Sequence, residues 1–405
     1  MTHRLRRAAW PLAFGGVALV LLGLAFAQFG RYLERPDLDH GLHARFAQQL
    51  VAHGLLLPHF GYHVLVAAAA GFSTDLGQLL FTARVVLALL VLAKLALSLG
   101  LARGLTARAG APLGPAAALA LGVAFFFVAP LPKWWRTENV YLGQLSPTAW
   151  HNPTVIAVLP LAVAVFWAFV RADRAGWRAD LGCGALLAAS VTAKPNFALA
   201  FLPTAALLRL LPARLSGRRH PFGCKHPFGC KHPFGCKLAG LACLAAPAVA
   251  VLGWQYEHAL GLGLEAHGES VVSLQPLEVW RLYSPHPLVS TLVSLAFPLA
   301  VAAFAARDAR QRRPLAAAWI LTAVAVAQFA LLAEPEPRLG DANYYWGVVP
   351  AVYLLFLVSA CELLAPRPLS GARRAARAVC WALLAAHAAS GVFLYAHPFQ
   401  LAVVD

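Results

Sequence analysis

MTHRLRRAAWPLAFGGVALVLLGLAFAQFG, residues 1–30, places three arginines ahead of an unbroken apolar run at residues 8–30. A helix of that length crosses roughly 30 Å of hydrocarbon, and the cationic flank keeps the preceding end on the cytoplasmic side. Ala25 and Ala27 imitate a signal-peptidase site, but the run outlasts a typical signal-peptide core and many spans follow, so it reads as a retained anchor. Apolar runs recur at residues 81–101, 112–129, 155–170, 181–192, 197–211, 238–254, 288–306, 316–332, 348–364 and 378–395. The expectation is an all-α, polytopic transmembrane helical bundle of about eleven spans (10–12). It is read as a single domain over residues 1–405, with the N-terminus inside and the C-terminus outside. With 60% apolar residues, 12% charged residues and a mean hydropathy of +0.66, the chain has too little polar surface for a water-soluble fold.

The loops sort their charge as that threading requires. Segments assigned to the inside hold 23 of the 33 basic residues and only four acids, Asp173, Asp180, Asp308 and Glu362. The outer segments carry 13 acids against eight bases. Cationic loops are retained in the cytoplasm, so the net charge of +16 follows from topology and implies no nucleic-acid partner. The remaining bases, Arg84 and Lys94, fall within the second crossing, where they either snorkel or face a polar interior.

Two stretches resist simple threading. Residues 55–72, LLLPHFGYHVLVAAAAGF, are apolar but short, and a crossing there would put Arg103 and Arg108 outside. An interfacial or re-entrant helix pair on the outer face is expected instead. Lys194-Pro195-Asn196 divides a long apolar region into two halves, an arrangement that lines cavities.

Four of the seven cysteines, Cys183, Cys243, Cys361 and Cys380, lie in apolar helices and behave as small hydrophobes. The other three belong to HPFGCK, repeated three times at residues 220–237 within the inside loop at 212–237. Thiolate and imidazole are good soft-metal ligands. The identical hexads lack helical or strand periodicity and match no standard zinc spacing, so an expansion in a tolerant loop is the favoured reading.

Candidate chemistry therefore belongs to the outer face. The loop at residues 31–80 brings Asp37, Asp39, His40, His43, His53, His59 and His63. Asp39 and His43 are four apart and share one face if helical. A partly desolvated carboxylate beside imidazoles suits a general base, while an ordinary solvated loop fits the composition equally well. The next outer loop carries Gln144, Trp150, His151, Asn152 and Thr154 directly into an apolar helix, a position suited to sugar hydroxyls or phosphate oxygens. Lys194, Arg338, Asp341 and Tyr344 complete the outer polar set.

These features resemble the GT-C superfamily of integral-membrane glycosyltransferases. The resemblance rests on an acidic pair, Asp37-Leu38-Asp39, directly after the first helix, on Lys194-Pro195 before an apolar helix, and on many short helices. The strings Asp39-xxx-His43, Pro58-His59-Phe60, Tyr62-His63, Gly143-Gln144 and Trp150 to Thr154 are similar to uncharacterised bacterial members. It covers the topology of most of the chain, although a large soluble domain after the last helix is lacking. The resemblance implies transfer of a hexosyl or pentosyl group from a polyprenyl-phosphate sugar donor to a glycan, lipid or protein acceptor, at the outer face of a bacterial inner membrane. In that scheme Asp39 or Asp37 deprotonates the acceptor, with His43 beside them. Lys194, Arg338 or His59 stabilises the leaving phosphate, and His63, Gln144, Trp150, His151, Asn152 and Tyr344 bind substrate. A lipid-borne donor needs no nucleotide-binding motif, and none is visible. One acidic pair is compatible with a divalent cation without requiring one. The rival expectations are a transporter or lipid-linked sugar flippase, with Lys194, Arg84 and Lys94 along a path, and an oligosaccharide polymerase or ligase. One outward cluster of Asp39, Lys194 and His151 favours transfer, whereas a polar path to the cytoplasm favours transport.

Overall fold

The computed structural model describes residues 2–35, 38–57, 59–132, 141–172, 176–210, 233–261, 272–305, 312–335, 338–366 and 370–398. Among these residues the fold is all-helical, with seven helices long and apolar enough to cross a membrane, or eight if one bent pair counts as a span. The spans are carried by α1 (Thr2–Leu33), α4 (Leu76–Arg108), α6 (Pro153–Ala172), α9 (Pro233–Gly261), α13 (Arg312–Leu331), α14 (Val348–Leu364) and α15 (Gly371–Ala396). The bent pair is α11 (Pro287–Ser294) and α12 (Ala296–Ala305), which meet at 63°. Pro298 explains the bend: it has no N–H for the Ser294 carbonyl, and its ring clashes with that carbonyl in a continuous helix. Shorter helices are α2 (Asp39–His53), α3 (Phe60–Ala69), α5 (Pro115–Phe127), α7 (Trp177–Ala193), α8 (Asn196–Leu210) and α10 (Glu278–Tyr283). Strand is confined, among the described residues, to Ser273–Leu274 paired antiparallel with Leu332–Ala333.

α14 is apolar apart from Ser359 and Glu362, is buried along nearly its whole length and lies within the bundle, against α4, α6, α8, α12 and α13. Lipid offers no hydrophobic drive between helices, so close packing and hydrogen bonds hold them together. α15 supplies both to the end of α5. His387 Nδ1 donates to the Ala129 carbonyl (2.7 Å) and Ser390 Oγ to that of Pro130 (2.5 Å), while Ala129 N–H donates to the His387 carbonyl (3.2 Å). Gly391 lies directly on the Phe127 carbonyl, where a Cβ has no room. Arg84 is a tie between α4 and α1: its Nε donates to the Phe26 carbonyl at 2.6 Å and its guanidinium stacks 3.7 Å from the Phe26 ring centroid. Lys94 is buried, with Nζ 3.5 Å from the Phe125 carbonyl and 4.8 Å from the Tyr353 ring centroid.

α7 and α8 form a hairpin whose apex is written in the sequence. Proline disfavours helical backbone in the residue before it, and Lys194 is extended at φ −166°, ψ 127°. At the opposite end Arg209, in the last turn of α8, makes a bidentate pair with Asp180, in the first turn of α7, both residues buried. Gly240 of α9 packs directly on this pair, so a Cβ there would stand 2.6 Å from both partners. The arms have 17 and 15 residues, and at about 1.5 Å per residue Lys194 lies roughly 21–22 Å from the ion pair.

Residues 55–72 contain α3, whose ten residues span only about 15 Å, too short to cross. The runs at 112–129, 181–192 and 197–211 form helices of 13, 17 and 15 residues, below full spanning length. The first two HPFGCK repeats lie outside the described residues. Residues 233–237 of the third open α9, with Pro233 at its first position, where the missing N–H costs nothing.

Breaking a buried ion pair on one side leaves the other charge uncompensated, at about 3–5 kcal/mol. Asp180→Ala is therefore expected to lower the unfolding midpoint in detergent strongly. The double variant Asp180→Leu with Arg209→Met should recover most of the loss.

Candidate functional site

Five separated segments of chain meet around the start of α6 and the apex of the α7–α8 hairpin. Asn152 caps α6: its Oδ1 accepts from Val155 N–H at 3.0 Å and from the Thr154 hydroxyl at 2.8 Å. Pro153 at the first helical position suits that geometry. The cap's amide nitrogen donates to Asp39 Oδ2 at 3.3 Å, and Asp39 opens α2. Lys194 comes in from the hairpin apex, buried, with Nζ 3.4 Å from Thr154 Oγ1 and 5.4 Å from the Trp346 ring centroid. The segment 334–347 closes the cluster: Asn196 Nδ2 donates to the Asn343 carbonyl at 2.5 Å, and Asn343 Nδ2 to Glu334 Oε2 at 2.7 Å.

Two glycines set the spacing. A Cβ on Gly61 would stand 2.4 Å from Thr192 Oγ1 and 2.9 Å from its backbone, so only glycine lets α3 lie this close to the end of α7. A Cβ on Gly347 would meet the Asn196 carbonyl at 2.8 Å. His59 precedes α3 in left-handed backbone (φ 65°), and Ala342 lies in the 334–347 segment at φ 49°. Such conformations in residues other than glycine are strained and persist where neighbours over-determine them.

The helical face anticipated for Asp39 and His43 exists, since α2 begins at Asp39. His43 Nδ1 and His63 Nε2 are 2.8 Å apart, joining α2 to α3. One ring must donate and the other accept, so the pair shares a proton and is not doubly charged. His151 lies between Tyr141 (ring centroids 4.5 Å) and Trp346 (5.5 Å). Burial holds the imidazoles neutral, with His40 and His59 pushed down to about 3, His63 and His151 to about 4, and His43 well below its ordinary value. Burial also pushes Lys194 down to about 8, against the pull of Asp39, Asp341 and Glu334. Burial raises the Asp39 carboxyl above the usual carboxylate range, opposed by Lys194 and reinforced by Asp341.

Other expected residues have different surroundings. Asp37 lies outside the described residues. Trp150 is packed in the apolar core, its ring within 5.3–6.0 Å of Phe29, Phe126 and Tyr395, which makes it a packing residue. Gln144 belongs to a buried turn pinned by Ser294 Oγ on Leu145 N–H and by Trp280 Nε1 on the Gly143 carbonyl. Its Oε1 has no hydrogen-bond partner among the described residues. Arg338, its side chain half exposed, pairs with Glu334 (3.2 Å) and Asp341 (3.6 Å). Burial favours the neutral form of His59. Tyr344 is half-buried beside Glu334 and Arg338. Among the described residues, which do not include Asp37, no three His, Cys, Asp or Glu side chains are grouped to hold a metal ion.

Thr154 belongs to the loop whose sequence suits sugar hydroxyls or phosphate oxygens, whereas the sequence singles out no role for Asn196, Glu334, Asn343 or Trp346, because contacts between distant segments leave no local signal. The sequence matches no protein-family model and no curated protein.

The histidines give a signed pH dependence. Their folded affinity for protons lies below the ordinary value of 6.5, so the unfolded chain binds more protons between pH 6.5 and about 4. The histidines' contribution to stability is full above pH 6.5 and is lost as pH falls through that window. Asp39, raised, works in the opposite sense, as one group against five. Hydrogen-exchange protection factors of α2 and α3, with the base-catalysed intrinsic rate divided out, are expected to be clearly smaller at pH 4.5 than at pH 7.5, and His63→Gln should reduce the difference.

Proposed function

We propose that this chain is a GT-C-type glycosyltransferase of a bacterial inner membrane, moving a hexosyl or pentosyl group from a polyprenyl-phosphate carrier to an acceptor hydroxyl at the outer face. The observation that carries the reading is the meeting of Asp39 and Lys194 at the start of α6, through Asn152 and Thr154. In the fuller topology about eleven crossings are made, with the shorter α5, α7 and α8 completing the set and Lys194 turned to the outer side.

The chemistry is a single displacement. Asp39 takes the proton from the acceptor hydroxyl while the oxygen attacks the anomeric carbon. The bond from that carbon to the phosphate oxygen breaks, and the lipid phosphate leaves with the electron pair. Its charge is met by Lys194 and by the positive end of α6, and the configuration at the anomeric carbon inverts. Burial strengthens both roles, because a desolvated carboxylate binds a proton more tightly and a desolvated ammonium attracts an anion more strongly. The neutral histidines and Trp346 supply donors, acceptors and an aromatic face for sugar hydroxyls.

A transporter or flippase would use Lys194, Arg84 and Lys94 along a path. Arg84 and Lys94 are instead held locally, by Phe26 and by Phe125 with Tyr353. A polymerase or ligase would share the chemistry and move whole glycans.

Asp39→Asn is expected to cut transfer by about 10²–10⁴-fold, the usual worth of a general base, while membrane insertion is unchanged. Lys194→Gln should cost about 10²–10³ in kcat. The assay is transfer from radiolabelled polyprenyl-phosphate sugars by the purified chain. Activity near wild type in Asp39→Asn, with loss in Asp37→Asn, would move the base to Asp37.

A further inference from the structure

Two residues with different tasks in the proposed displacement are joined by a directed chain of hydrogen bonds. Lys194 Nζ donates to Thr154 Oγ1 (3.4 Å), Thr154 Oγ1 donates to Asn152 Oδ1 (2.8 Å), and Asn152 Nδ2 donates to Asp39 Oδ2 (3.3 Å). The direction is forced. An ammonium has only donors, so the hydroxyl accepts from it and passes its own hydrogen onward. Asn152 Oδ1 also accepts Val155 N–H at 3.0 Å, which turns the amide nitrogen toward Asp39. Thr154 is fully buried, so water does not take its place between Lys194 and Asn152.

The geometry points to Thr154 as a positioning residue that couples the Lys194 cation to the Asp39 carboxylate, with the Asn152 side chain as the link. The inference rests on the reading of Asp39 as base and Lys194 as phosphate cation. Its consequence is an order of events. An arriving donor phosphate draws the ammonium away from Thr154 and screens its charge from Asp39. The carboxylate, which Lys194 otherwise makes a weaker base, then becomes a stronger one once the donor is bound. The charged or titratable groups facing Lys194 are Asp39 and His43 on α2, His59 ahead of α3, His151 ahead of α6, and Glu334 and Asp341 on the 334–347 segment.

The test reads Lys194 directly. Reductive methylation of the full chain in nanodiscs with formaldehyde and borohydride labels the neutral amine, and mass spectrometry across pH gives a midpoint for Lys194. Thr154→Val removes the acceptor of the charged amine, so the midpoint should fall by about one pH unit, the worth of one hydrogen bond to a charged group. Thr154→Ser should return it to the wild-type value. In parallel, the acid limb of kcat/KM for transfer should move in Thr154→Val and return in Thr154→Ser. If the valine variant does not fold, the smaller Thr154→Ala serves the same comparison. An unchanged midpoint in the folded Val or Ala variant overturns the coupling, whether or not the chain transfers sugar, as does a folded Ser variant that behaves like Val. A shifted midpoint in a chain that transfers from no donor keeps the coupling and overturns the reaction.

Discussion

A helix end buried in this bundle must find partners for its loose backbone groups, because hydrocarbon supplies none. The structure answers that demand with side chains from a neighbouring helix, with caps supplied by the helix's own flanking residues and with a break in the chain ahead of a proline. His387 and Ser390 serve the end of α5, Asn152 serves the start of α6, and the extended Lys194 closes α7 ahead of Pro195. The candidate site is where two such ends, the start of α6 and the apex of the α7–α8 hairpin, come together.

That placement has chemical consequences. A helix start offers partial positive charge, and burial concentrates its effect by removing water. Lys194 adds a full charge beside it, and Asp39 is held within reach by the same cap that stabilises α6. The glycines at 61 and 347 keep α3 and the 334–347 segment close enough to cover the cluster. At the other end of the hairpin the Asp180–Arg209 pair, locked under Gly240, fixes the arms that carry Lys194. Scaffold and site are thus two ends of one hairpin.

Much of this was legible in the sequence, for identifiable reasons. Long apolar runs became long helices, and the Lys194-Pro195 break followed from the constraint proline places on its predecessor. The start of α2 at Asp39 put His43 on its face as the spacing required. The apolar runs did not fix helix length: α4 extends through polar flanks to 33 residues, while the run at 112–129 yields a 13-residue helix. Pro298 divided one run into two bent helices. Nor did composition reveal that Trp150 packs among Phe29, Phe126 and Tyr395, or that Arg338 is held by Glu334 and Asp341. Those outcomes depend on which distant segments meet, and no local pattern records that.

The central claim is that the outer cluster performs a covalent transfer and does not pass a substrate through the membrane. The most direct measurement uses sealed vesicles of defined orientation, loaded with a panel of radiolabelled polyprenyl-phosphate sugars on the outer-face side together with candidate acceptors. The account predicts label in a new covalent product on that same side, with the donor's anomeric configuration inverted. Unmodified donor lipid appearing on the cytoplasmic side, with no labelled product, would contradict it.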